Sequence, residues 1–162
     1  MVRIGTRDSI AQEARWLKNA GKTVVFTNGC FDILHPGHID LLRRARGLGD
    51  VLVVSVNSDA SVRRLKGAGR PIFSELERSE VLAALETVDY VCIFDEDTPL
   101  ETILKIRPDV LVKGSDWGLN EIVGRAEVES WGGKVVAMAV VEGHSTTNVI
   151  ERVLRKKVSP SP

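Results

Sequence analysis

Short apolar runs alternate along this chain with segments whose apolar positions recur at helical spacing. The runs TVVFTN (23–28), VLVVSVN (51–57), YVCIF (90–94), DVLVKG (109–114) and KVVAMAVV (134–141) carry charge only at or near their ends, as strands covered on both faces do. Between them, Ile39, Leu41, Leu42, Ala45 and Leu48 share one helical face that ends at Gly49. Ser74 with Glu77 predicts a capping box, and Thr98-Pro99-Leu100-Glu101 predicts another with proline at the first helical position. A leading helix over Ser9 to Asn19 stops at Gly21, one over Glu121 to Trp131 stops at Gly132-Gly133, and a last one follows Ser145. Strand and helix in strict alternation force parallel pairing with right-handed crossovers. The pattern therefore predicts an α/β chain, a single doubly wound domain with a five-stranded parallel sheet and helices on both faces. That domain is expected over 23–155, with 1–22 a helix packed on it and 156–162 a frayed tail.

Composition narrows the classes of function. A chain of 162 residues can bury one real core. Lys plus Arg number 22 and Asp plus Glu number 22, so no net field recommends nucleic acid or an acidic membrane as a partner. Cys30 and Cys92 lie far apart beside apolar residues, which suits neither a disulfide framework nor a zinc site. The N-terminus lacks a signal-peptide core, and there is no apolar run long enough to span a bilayer. A soluble, cytoplasmic protein is the expectation.

In a doubly wound sheet, ligands sit beyond the carboxyl ends of the strands, where strand order reverses. The residues that should converge there are Asn28 to His38, Asn57 to Asp59, Lys113 to Asp116, and Glu142 to Thr147. Familiar phosphate loops are missing, since neither G-x-x-x-x-G-K-[ST] nor G-x-G-x-x-G occurs. Instead Pro36-Gly37 opens a helix behind His35, and the exposed N–H groups of that helix start suit a phosphate. With His38 in the first turn, two imidazoles can face the same anion and answer growing negative charge. Ser145-Thr146-Thr147 supplies a second helix start, one hydroxyl capping it and the others facing the cleft. Between the second and third strands, RRLKGAGRP carries Arg63, Arg64, Lys66 and Arg70 in a stretch loosened by Gly67 and Gly69, which predicts a mobile cationic flap. Together these features predict a triphosphate site. Cys30 beside His35 also fits a thiol nucleophile, although a small thiol filling a tight turn explains it more simply.

The segments GCFDILHPGH and HSTTNVI resemble the cytidylyltransferase-like nucleotidyltransferases, marked by H-x-G-H after the first strand and S-T-T before the last helix. Within these, Asn57 to Pro71, Ala84 to Asp89, Glu96 to Pro99, Leu111 to Asp116 and Ser145 to Ile150 are similar to the heptose 1-phosphate adenylyltransferases of lipopolysaccharide-precursor synthesis. Many members of that group carry a fused sugar kinase. The resemblance implies a Rossmann-like domain of nucleotidyltransferase type that moves the adenylyl group of ATP onto D-glycero-D-manno-heptose 1-phosphate. It makes His35, His38 and Lys66 the catalytic set. It spreads nucleotide and phosphate contacts over Gly29, Cys30, Phe31, Asp32, Gly37, Asn57, Asp59, Arg70, Lys113, Gly114, Asp116, Ser145, Thr146 and Thr147, with Lys113 holding a nucleotide phosphate or the sugar phosphate. Magnesium is expected to accompany ATP, held by phosphates and waters, with Asp32 and Asp116 the candidates for touching it, and no residue set is identified as a metal cage. A homo-oligomer is expected by analogy. A glycerol-phosphate or other polyol-phosphate cytidylyltransferase is the competing enzyme, disfavoured because VVEGH precedes Ser145. A non-catalytic nucleotide-binding module is the alternative outside enzymes.

Overall fold

The computed structural model describes residues 3–114, 121–139 and 145–158, with side chains as far as Arg155. Five parallel strands, β1 (Val24–Gly29), β2 (Val51–Asn57), β3 (Tyr90–Phe94), β4 (Val110–Gly114) and β5 (Lys134–Met138), lie in the order β3-β2-β1-β4-β5. The chain winds outward from β1 to β3, then returns to build β4 and β5 on the other side. Strand order thus reverses between β1 and β4, which fixes the crevice of the switch point.

Alternate residues of each strand feed opposite faces. Val24 and Phe26 join Ile10 and Ala14 of α1 (Arg7–Asn19), Ile103 and Ile106 of α5 (Leu100–Ile106) and Val128 of α6 (Arg125–Ser130). Val25 joins Leu42 and Ala45 of α2 (Pro36–Arg46) and Leu82 of α4 (Glu75–Ala83). Both faces of β1 to β4 are covered over most of their length, while edge strand β5 is only partly so, which is why the inner strands read as apolar runs with no alternation. The segment before α1 is tied to the edge strand, with Gly5 N–H donating to Val91 O and Val91 N–H to Arg3 O.

At the amino edge of the sheet, the aspartates that precede three strands reach sideways to a neighbouring strand. Asp50 accepts from Thr23 N–H, Asp89 from Leu52 N–H and Asp109 from Val24 N–H, each at 2.8 Å. These bonds satisfy donors that the parallel ladder leaves open. Gly49, just before Asp50, passes so close to β1 that an added Cβ would stand 2.8 Å from Thr23 O, so only glycine lets this turn close.

Several boundaries differ from the sequence reading. Arg63, Arg64 and Lys66 do not lie in a loose flap; they end a helix, α3 (Asp59–Lys66), capped by Ser58, whose Oγ accepts from Ser61 N–H. The irregular stretch begins only after that helix and runs from Gly67 to Ser74. Thr98 does not cap α5; Pro99 takes the cap position and the helix opens at Leu100. Helix α6 starts at Arg125 instead of Glu121 because Gly124 turns left-handed before it, at φ 87°. Helix α1 gains Arg7 and Asp8 through a Thr6 cap, and α2 stops at Arg46. The last helix, α7 (Thr146–Val158), continues three residues into the tail expected to fray, while 159–162 and the end of the fifth apolar run lie outside the described residues.

Candidate active site

His35 closes β1's exit loop and serves as the N-cap of α2, with Pro36 next in the first turn. Proline has no N–H to lose at that position and its fixed φ starts the helix. The i, i+3 spacing then brings the rings of His35 and His38 face to face, 3.8 Å between centroids and 20° from parallel. Phe31 backs the pair, its ring 5.1 Å from that of His38 and tilted by 58°. Burial, and then the neighbouring His35, push His38 down from its ordinary value to about 4, with the Ile33 carbonyl pulling the other way. At neutral pH this imidazole is therefore uncharged.

Two cavities open on either side of the β1 exit. One, about 350 Å³, is lined by Cys30, Phe31, Asp32, His35, Gly37, His38, Lys66, Arg70 and the α7 start, Ser145 to Thr147. Ser145 Oγ caps that helix by accepting from Asn148 N–H at 3.1 Å, as its sequence predicted. The other, about 460 Å³, is lined by Asn28, Gly29, Cys30, Asn57, Leu65, Lys66, Asp97, Thr98, Lys113, Glu121, Ile122 and Val123 among others. Cys30 and Lys66 belong to both, so the two chambers adjoin at those side chains. Lys113 stands at the end of β4 and reaches across the switch point to Asn28, its Nζ 3.3 Å from the carbonyl oxygen and 3.2 Å from Oδ1. Burial pulls its ammonium below the usual lysine range.

Some residues expected in the cleft are occupied elsewhere. The Asp32 carboxylate is fully buried and accepts from Arg70 Nε at 2.5 Å, Ile72 N–H at 2.8 Å and Phe73 N–H at 3.0 Å. Its lone pairs are committed to the flap, so Asp32 does not fit a metal. Arg70 lines the histidine chamber but is already ion-paired, and Arg64 is spent on Asp97 at 2.7 Å. Asp59 lies outside both chambers, in a shallow groove with Arg7 and Arg63, where it accepts from Arg78 at 2.8 Å. Asn57 points inward to Ser61 Oγ at 3.0 Å and accepts a long contact from Cys30 Sγ at 3.8 Å. Gly114 ends β4 without lining either chamber, and Asp116 lies outside the described residues. Among the described residues no group of three or more His, Cys, Asp and Glu side chains could hold a metal ion. Burial raises the Cys30 thiol further above neutrality, the wrong direction for a nucleophile.

Sequence reading missed Arg78, Leu65, Thr98 and the Glu121 to Val123 wall. Arg78 was visible in principle, since an arginine one turn before Leu82 sits on the buried stripe of α4.

Stacked imidazoles at a helix start, a second helix start facing them and lysines at the junction with a further chamber define a nucleotidyltransferase of the doubly wound class. Comparison with known proteins agrees. Residues 26–152 match the model of the cytidylyltransferase-like family, and the chain belongs to that family. It is 56% identical over 152 residues to "Bifunctional protein HldE" of Syntrophotalea carbinolica, covering 94% of this chain and 31% of the relative. The protein of the same name from Koribacter versatilis is 60% identical over 139 residues, covering 86% and 28%. The chain therefore spans about a third of the curated relatives it matches. A crystal structure of the lipopolysaccharide core biosynthesis protein from Thermoplasma volcanium superposes with a TM-score of 0.65 at 32% identity, covering 75% of this chain and all of that one. Among the described residues no helix is long and apolar enough to cross a membrane.

The depressed His38 value has a consequence for folding. A neutral buried imidazole must be charged as acid unfolds the chain, so its contribution is full above the unfolded value near 6.5 and is lost as pH falls toward about 4. Thermal midpoints measured from pH 7 to 4 should fall less steeply for His38→Gln than for the wild type; parallel curves would refute it.

Proposed function

We propose that this chain transfers the adenylyl group of ATP to D-glycero-D-manno-heptose 1-phosphate, giving ADP-heptose and pyrophosphate for lipopolysaccharide precursors. The observation that carries this reading is the pair of adjoining chambers with the histidine stack in one and Lys113 in the other. The triphosphate suits the first, where the α2 and α7 starts and both imidazoles meet it. The sugar phosphate suits the second, with Lys113 for its phosphate and Asn28, Thr98 and Glu121 as polar partners for sugar hydroxyls.

An oxygen of the sugar phosphate attacks the α-phosphorus in line. A new P–O bond joins the two phosphates while the bond to the β-phosphate oxygen breaks and pyrophosphate leaves with its electron pair. His35 and His38 donate to the oxygens on which charge grows, and Lys66, at the junction, can follow that charge from either side. Magnesium, arriving on the triphosphate, would neutralise part of its charge. The kinase found in fused homologues would act before this step, and we place the chain in the cytoplasm as a homo-oligomer. The exposed side chains of Ile72, Phe73, Leu76 and Val81 support an association face.

The test is a panel of triphosphates against sugar 1-phosphates and glycerol 3-phosphate, with magnesium and pyrophosphate as readout. ATP with the heptose phosphate should be fastest, because hydroxyl-binding groups left unpaired by glycerol phosphate cost about 10² or more in kcat/KM. Faster turnover of CTP with glycerol 3-phosphate would overturn the substrate assignment and leave the transfer chemistry standing.

A further inference from the structure

Arg78 is a charged side chain with no exposed surface, set in the middle of α4 and outside both chambers. Its guanidinium divides its donors among three segments. Nη1 donates to the Cys30 carbonyl at 2.6 Å, Nε to the Phe73 carbonyl at 3.0 Å and Nη2 to Asp59 at 2.8 Å. Cys30 belongs to the β1 exit loop, Phe73 to the return of the flap, and Asp59 to the first turn of α3, which carries Lys66 at its other end. One side chain thus ties together the pieces that line the nucleotide chamber.

The bond to Cys30 matters most because the next residue is strained. Phe31 adopts φ 46°, in the left-handed region that a bulky residue avoids. Such a conformation persists only where its surroundings hold it. The peptide between Cys30 and Phe31 is trans, so fixing its carbonyl on Arg78 turns the Phe31 N–H to the opposite side. No acceptor for that N–H occurs among the described residues. The same peptide sets the Phe31 ring, which packs 3.1 Å from where a Cβ on Gly29 would be and backs His38.

We propose that Arg78 is a positioning residue for the nucleotide: by holding the Cys30–Phe31 peptide it keeps the loop, and the His38 ring resting on Phe31, in the geometry that receives the triphosphate. The proposal rests on the nucleotidyl-transfer reading above. Lysine at this position keeps the charge opposite Asp59 but cannot span three acceptors, whereas methionine keeps only the stem.

The experiment compares wild type, Arg78→Lys and Arg78→Met by thermal melting and by calorimetric titration with magnesium-ATP at a temperature where each is folded. Loss of a charge-assisted bond that orients the loop should weaken binding about tenfold or more in Arg78→Lys and further in Arg78→Met, with the Lys midpoint only a few degrees lower. Folded variants that bind as the wild type does would assign Arg78 a purely structural role and overturn the proposal. So would a Lys variant that fails to fold. If the wild type prefers another triphosphate, the comparison is made with that one; the ATP assignment then falls while the Arg78 proposal is decided by the same titration.

Discussion

Replacing His38 by alanine should lower kcat by about 10² or more and leave the fold intact, and His35→Ala should do the same. The rings stack at 3.8 Å, so each holds the other in place as well as facing the chamber proposed for the triphosphate. Their losses will not add. A double variant should be little worse than the poorer single one, because groups that act as a unit fail together. Core packing does not depend on them, since the buried residues of α2 that face the sheet are Leu42 and Ala45. Steady-state rates on folded protein, checked by circular dichroism, decide the matter, and a wild-type rate in either variant would remove the histidines from the reaction. Neutral His38 also predicts that triphosphate binding takes up protons near pH 6. Phosphate charge lifts the imidazole from about 4 toward its ordinary value, and calorimetry in buffers of different ionisation enthalpy measures the uptake.

The strands and their order of winding were legible because both faces of the sheet are covered, leaving runs such as Val51 to Val56 free of charge. The two helix starts that face each other were legible from local chemistry, proline after His35 and hydroxyls at Ser145 to Thr147. Helix α3 was misread as a flap because Arg63, Arg64 and Lys66 resemble a solvated loop when taken by charge. The Ser58 cap and the apolar positions Val62 and Leu65 were the overlooked signal. The partners of Asp32 and Arg70 could not be read in advance. Their pairing spans 38 residues and depends on where the flap returns, which no local pattern specifies. The same holds for Arg78, whose three acceptors meet only after the sheet has formed.

Lys113→Met should separate binding from stability in the opposite way to a core mutation. Its ammonium is half-buried at the switch point, where desolvation pulls it below the usual lysine range, and its acceptors among the described residues are the two Asn28 oxygens at 3.2 and 3.3 Å. Two long bonds to a neutral residue return little of the cost of drawing a cation partly out of water, so a half-buried charge whose acceptors among the described residues are neutral weakens the fold it sits in. Methionine has nearly the same length and no charge to desolvate. The melting temperature of Lys113→Met should therefore stay level or rise. Turnover should move the other way, because on the proposed reading the sugar phosphate pairs with that ammonium. A phosphate placed in the chamber beside Lys113 would restore the compensation, and its loss should lower kcat/KM for the sugar phosphate by about 10², mostly through KM. Arg or Gln at the position would blur the test, one by size and the other by new hydrogen bonds. A Met variant that melts well below the wild type would show that the ammonium supports the fold. One that keeps wild-type kcat/KM would move the sugar phosphate out of this chamber.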